Sequence, residues 1–295
     1  MRLLITGARG QLGREILRIL ERGESEIGAV SPLYRGAEIT AADVDDFDIG
    51  DLNAARAFVG NGRPDLVINC AAMTNVDACE GDERTALRVN SMGARNMAMA
   101  AQALGAKFLH VSTDYVFAGD ATEPYCEWDA TAPGTVYGKS KLLGEGLARD
   151  FCDRTFVVRT AWLYGRHGGN FVRTILRNIR EKGSLRVVSD QRGNPTNAED
   201  LAHHMLKLAV TEEYGTYHCT GDGECSWYDF ASRIVELAGT GGEISPCTTG
   251  EFPRPAPRPA YSSLRNLMLS CTVGDEMRPW DDALASFMRQ NGTTE

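Results

Sequence analysis

No apolar run in this sequence approaches the ~20 residues that a membrane-spanning helix requires, and its eight cysteines form no C-x-x-C pair or zinc-type spacing. The first absence argues against a helical membrane protein. The second makes reduced thiols the expectation, ahead of disulfides, and assigns no metal. Positive charge is also scarce, with 31 Lys and Arg against 40 Asp and Glu and a formal net charge of −9. Such a balance disfavours nucleic acid or an anionic membrane as partner, so an anionic small ligand must find local basic groups. The five histidines form no H-E-x-x-H pattern, and no internal repeat is visible. His110, inside an apolar run, reads as a core residue. The opening stretch, Met1 to Ile5, is too short for a signal peptide, and a cytoplasmic protein is expected.

What is present is an alternation of short apolar runs and amphipathic segments. Arg2–Thr6, Glu38–Ala42, Asp65–Cys70, Lys107–Val111 and Thr155–Arg159 read as strands of the kind buried in a parallel sheet. Helical spacing follows at Glu15–Leu20, and a long helix is expected over Asp82–Leu104, with Met92, Met97 and Met99 packing inward. A further helix carries Leu143, Leu147 and Phe151 at i, i+4 and i+8, a stripe expected to anchor it to the sheet. The fold class is α/β: a doubly wound parallel sheet (Rossmann) with a smaller C-terminal α/β substrate lobe. Residues 1–165 are expected to bind the dinucleotide and residues 166–295 mainly the substrate, with a helix near 198–210 returning to the first lobe. The proline-dense run Phe252–Pro259 reads as an extended loop.

The motifs fall where such a fold puts chemistry. Gly7-Ala8-Arg9-Gly10-Gln11-Leu12-Gly13 lies between a strand and a helix, where glycines admit a pyrophosphate and the helix N-terminus supplies donors. Asp43 ends the second strand, where an acid binds ribose hydroxyls. Ala71 and Ala72 end the third, leaving room for a cofactor. The fourth delivers Ser112-Thr113-Asp114-Tyr115-Val116-Phe117 to the edge of the sheet at which ligands gather. Tyr137 and Lys141 then stand four residues apart on one helical face, and a lysine held beside a tyrosine favours the phenolate.

With these pieces in line, the chain resembles the extended short-chain dehydrogenase/reductases, and more closely the dTDP-4-dehydrorhamnose reductases. The matching stretches are Gly7 to Gly13, Asn69 to Met73 with Thr74, Val76 and Asp77, Ser112 to Phe117, Tyr137 to Lys141, Arg159 to Tyr164, Asp190 to Thr196 and Arg258 to Leu264. The resemblance implies reduction of a sugar-nucleotide ketone at C4. In it, Tyr137 protonates the forming alkoxide, Lys141 lowers the tyrosine pKa and binds the nicotinamide ribose, and Thr113 hydrogen-bonds the carbonyl oxygen. It also implies that Gly10, Gln11, Leu12, Asp43, Asp48, Ile49, Ala71, Ala72 and Met73 line the dinucleotide. Asp114, Tyr115 and Trp162 would meet the dTDP-sugar and Arg258 its diphosphate. NADPH and NADH both stay open: Arg9 or Arg35 suits a 2′-phosphate, whereas Asp43 suits a free ribose. A homodimer is compatible with the resemblance. Cys70, Met73 and an inserted-looking segment from Ser25 to Gly36 depart from the family pattern. Two rival readings follow: a dehydratase or epimerase of the same superfamily, against which Tyr115 stands where a dehydratase carries glutamate, and a non-catalytic dinucleotide-binding regulatory subunit.

Overall fold

The computed structural model describes residues 1–291. In the first half of the chain, strands and helices alternate: β1 (Arg2–Thr6), α1 (Gln11–Arg22), β2 (Glu38–Ala42), α2 (Leu52–Gly62), β3 (Leu66–Asn69), α3 (Val76–Gly81), α4 (Glu83–Ala86), α5 (Gly93–Gln102), β4 (Lys107–Thr113), α6 (Val136–Phe151) and β5 (Thr155–Thr160). The side chains of β3 and β5 are buried throughout, as a sheet covered on both faces demands. Local signals set the helix starts. Asp51 caps α2 by accepting from the amides of Asn53 and Ala54, and Thr135 caps α6 through Gly138 N.

Two expectations change here. The long helix over residues 82–104 is broken: α4 and α5 are joined by a π turn at Leu87–Met92, and Met92 points outward, 40% exposed, while Met97 is fully buried. Of the stripe expected on α6, Phe151 packs on the core, but the main contact face is another. It buries Gly138, Lys141, Gly144, Glu145 and Ala148, and leaves Leu143 48% exposed. The physical reason is close approach. A Cβ on Gly144 would lie 2.3 Å from Asn90 O, and one on Gly138 would lie 2.1 Å from Tyr115 O, so small residues mark the contact face.

The second half adds β6 (Leu163–Tyr164), α7 (Phe171–Lys182), β7 (Ser184–Val188), β8 (Arg192–Gly193), β9 (Thr196–Asn197), α8 (Ala198–Ala209), β10 (Gly215–His218), β11 (Cys225–Ser226), α9 (Trp227–Ala238), β12 (Glu243–Cys247), α10 (Leu267–Cys271) and α11 (Trp280–Asn291). The large sheet runs β10-β5-β4-β3-β1-β2, with all neighbours parallel. Helix α8 packs on α1, sharing a core in which Leu201 and Met205 meet Ile16 and Ile19. Most of the other elements make a second core around Tyr164, Ile175, Phe230, Leu284 and Phe287, flanked by the parallel pair β7–β12 and the short antiparallel pair β8–β11, while Leu269 of α10 joins the first core. Among the described residues no helix is long and apolar enough to cross a membrane.

Candidate active site

A cavity of about 850 Å³ opens at the carboxyl ends of β1, β3, β4 and β5. A parallel sheet delivers these ends to one edge, so residues remote in sequence converge there. Gly7, Gly10, Gln11, Leu12, Gly13, Asp43, Asp48, Ile49, Ala71, Ala72, Met73, Thr113, Asp114, Tyr115, Tyr137, Lys141 and Trp162 all line it. Arg258 is the exception. Its guanidinium pairs with Asp77 at 2.9 Å and donates to Ala256 O at 3.0 Å, and it does not line the cavity.

The glycine loop is built for close approach. Gly7 has φ +64°, and a Cβ there would lie 2.7 Å from Ala71 N; on Gly13 it would lie 2.4 Å from Gly7 O. Gly10, at the N-cap of α1, supplies no side-chain cap, so the first-turn amides face the cavity without a competing oxygen. At the far end of β2, Asp43 accepts from Arg9 N and Val44 N, both at 2.9 Å, while the Arg9 guanidinium pairs with Asp45 at 2.6 Å. Asp48 is held by Arg88, a lining residue that the sequence did not single out, and this pairing keeps its carboxyl below the usual range.

At the other end, Thr113 Oγ1 donates to Asp114 Oδ1 at 2.9 Å and accepts from Tyr115 N at 3.3 Å. The Tyr137 ring meets that of Tyr115 edge-on with centroids 5.5 Å apart, and its hydroxyl lies close enough to the Thr113 side chain for that group to act on its charge. Burial pushes the Tyr137 pKa well above its ordinary value, with the neighbouring Thr113 side chain opposing. This differs from the expected depression by Lys141. The leading cause is desolvation of the phenol; Lys141 Nζ donates to Val111 O at 2.6 Å and approaches His110 Nε2 at 3.5 Å. Burial lowers Lys141 to about 8, against the attraction of Glu145 and the Cys70 thiol.

The Lys141 contact makes His110 part of a buried polar chain. His110 Nδ1 lies 3.1 Å from Asn69 Nδ2, and Asn69 Oδ1 accepts from Thr6 Oγ1 at 2.6 Å. Its imidazole is held neutral by burial and by the neighbouring ammonium. Asp114, 3% exposed, is pushed up to about 6 by burial, eased by Ser262 and Thr113. Its Oδ2 has no partner in hydrogen-bond geometry among the described residues; Ser262 lies close enough to act on its charge but outside that geometry.

Other supporting residues escaped the sequence reading. Asn90, in the π turn, accepts from Met73 N at 2.8 Å and donates to Met73 O at 3.1 Å and Ser140 Oγ at 3.0 Å, joining the cofactor-side loop to the helix of Tyr137. Glu145, fully buried, takes two bonds from Arg159, at 2.9 and 2.7 Å, and one from Ser112 at 2.6 Å, which fixes α6 against β4 and β5. The first left no signal in the sequence, because a π turn slips the helix register without changing its composition. For the second the signal is a glutamate on the face that small residues mark as buried.

Comparison with known proteins supplies the family. The SpsK spore coat polysaccharide biosynthesis protein of Bacillus subtilis is 40% identical over 292 residues, covering 99% of this chain and 98% of that protein. A crystal structure of a dTDP-4-dehydrorhamnose reductase from Clostridium acetobutylicum superposes with a TM-score of 0.93 at 45% identity, covering 98% of this chain and 99% of the other. The dTDP-4-dehydrorhamnose reductase of Bacillus anthracis, solved in complex with NADP, gives 0.91 at 39% identity, with the same coverage. The family profile described as the RmlD substrate binding domain matches residues 1–292, and the chain belongs to that family.

Proposed function

We propose that this protein reduces the C4 ketone of dTDP-4-dehydro-L-rhamnose to the alcohol of dTDP-L-rhamnose, using NADPH or NADH. One observation carries the reading: Thr113, Tyr137 and Lys141 line the same cavity as the glycine loop. The cavity fits a dinucleotide, since the missing Cβ atoms of Gly7 and Gly13 and the uncapped start of α1 leave a cradle that any larger residue would fill. Gly7 to Gly13 would hold the pyrophosphate and Asp43 the adenosine ribose, with Asp48 and Ile49 alongside. Ala71, Ala72 and Met73 would border the nicotinamide half. A bound reduced nicotinamide supplies a hydride.

The chain's own residues do the rest. Thr113 fixes the ketone oxygen by hydrogen bonding. Tyr137, held as the neutral phenol by burial, gives its proton to that oxygen as negative charge develops, and hydride plus proton complete the alcohol. Lys141 keeps a positive charge behind the tyrosine, stabilising the phenolate that this transfer leaves. Asp114, Tyr115 and Trp162 meet the sugar nucleotide, and Arg258 reaches the diphosphate by exchanging Asp77 for it. The lobe formed mainly by residues 166–295 receives the substrate, and residues 1–165, with the helix near 198–210, hold the dinucleotide.

The test is consumption of NADPH and of NADH, measured with dTDP-4-keto-6-deoxy-L-mannose beside its GDP and UDP analogues. Stoichiometric oxidation with the dTDP sugar is expected. Turnover without net oxidation points instead to an epimerase or dehydratase. No oxidation at all, with another enzyme co-purifying, favours the regulatory reading.

A further inference from the structure

Two features of the cavity wall have no part in the proton and hydride chemistry. Trp162 has φ +47°, in the left-handed region that side chains other than glycine rarely occupy and that persists only where surroundings enforce it. Its indole also stacks on that of Trp227, with ring centroids 3.5 Å apart and planes 6° from parallel. Both indoles line the cavity that contains Thr113 and Tyr137.

The enforcement comes from the second half of the chain. The Trp162 carbonyl is pinned by Thr196 N at 3.2 Å, which fixes the backbone bend. Gly193 lies against the ring so closely that a Cβ there would be 2.6 Å from Trp162 Cε2. Gly193 pairs with Cys225 across β8–β11, and Trp227 follows directly as the first residue of α9. The start of that helix is rigid, because Ser226 and Asp229 form a reciprocal capping box. Phe171 backs Trp227, with centroids 4.4 Å apart. One short ribbon therefore supplies both surfaces that hold the Trp162 indole.

We propose that Trp227 is a positioning residue for the sugar nucleotide. It acts through Trp162, holding that indole in its left-handed bend as a flat apolar wall against which the C–H face and methyl group of a 6-deoxyhexose pack. The inference rests on the sugar-nucleotide reading of the site. It makes Trp227, which no motif points to, a determinant of substrate affinity and not of the chemical step.

Trp227→Ala, Trp227→Phe and Gly193→Ala, made in the full chain, test it. Circular dichroism of the wild type should show the exciton couplet of a stacked indole pair, absent in both Trp227 variants. Trp227→Ala should raise KM for the ketosugar nucleotide about 3- to 10-fold, the scale of one lost aromatic contact. Its kcat and its KM for the nicotinamide cofactor should hold. Trp227→Phe should restore most of the affinity, and Gly193→Ala, which pushes the indole from its other contact, should weaken it as Trp227→Ala does. Unchanged ketosugar KM in Trp227→Ala, once the couplet is lost, overturns the proposal. If that variant does not fold, an unchanged KM in Gly193→Ala overturns it. Titration with dTDP-L-rhamnose, followed by indole fluorescence, separates this inference from the catalytic one. Wild-type binding without turnover sinks the reductase and leaves the affinity comparison to decide the role of Trp227; no binding at all sinks both.

Discussion

Tyr137 and Lys141 stand four residues apart, so their shared helical face is legible in the sequence. The direction of the lysine is not, because it depends on Val111 O and His110, which β4 brings from some thirty positions away. The acid role expected of Tyr137 needs a protonated phenol, and burial keeps it in that form. Tyr137→Phe should lower kcat by about 10²- to 10⁴-fold, the usual contribution of a positioned general acid. Dinucleotide binding, followed by fluorescence titration, should persist. Lys141 is an ammonium below its pKa of about 8 and an amine above it. Raising the pH through 8 therefore removes the charge that supports the departing proton, and kcat/KM should fall on an alkaline limb centred near there. A flat profile from pH 6 to 10 would contradict this role. Arg258 teaches the same lesson from the other side: a cation near the expected diphosphate is visible in the sequence, but its partner Asp77 is not.

At the scale of elements, apolar runs revealed the strands because a sheet covered on both faces admits little else, whereas the side-chain caps at the starts of α2, α6 and α9 are seen in the structure. The inward face of α6 was illegible for a physical reason. Its contacts are backbone-close and polar, so glycines and a buried glutamate replace the leucines that periodicity looks for. Glu145 is the test of that face. Glu145→Ala leaves the Arg159 guanidinium, 4% exposed, without its carboxylate. Breaking a buried pair from one side costs about 3–5 kcal/mol, and the loss should appear in urea unfolding. A change below about 1 kcal/mol, within the range of exposed ion pairs, would mean that this pair does not hold α6 in place. The π turn was equally hidden, since its one-residue slip preserves helical composition while turning Asn90 toward Met73 and Ser140.

At the scale of the whole molecule, the segment that looked inserted, Ser25 to Gly36, contains a cross-brace. Glu26 pairs with Arg166 and Arg278 and accepts from Ser286, tying the region beside α1 to the last helix. Nothing local announces this, because every partner lies at least 140 positions away. The sheet is interleaved in the same way, with β10 on the outer side of β5. A fragment ending at residue 165 should therefore be poorly soluble, and it should exchange its β5 amides with deuterium far faster than the full chain. Protection equal to the full chain would show that the first half is self-sufficient. The order of synthesis gives this interleaving a further cost. On the ribosome, β5 is complete before residues 161–214 have been made, and at about 5–20 residues per second its edge stays open for several seconds. Nascent chains thus pass through a sticky interval in which chaperone capture competes with self-association, and a slowly translated codon run within 161–214 would lengthen it.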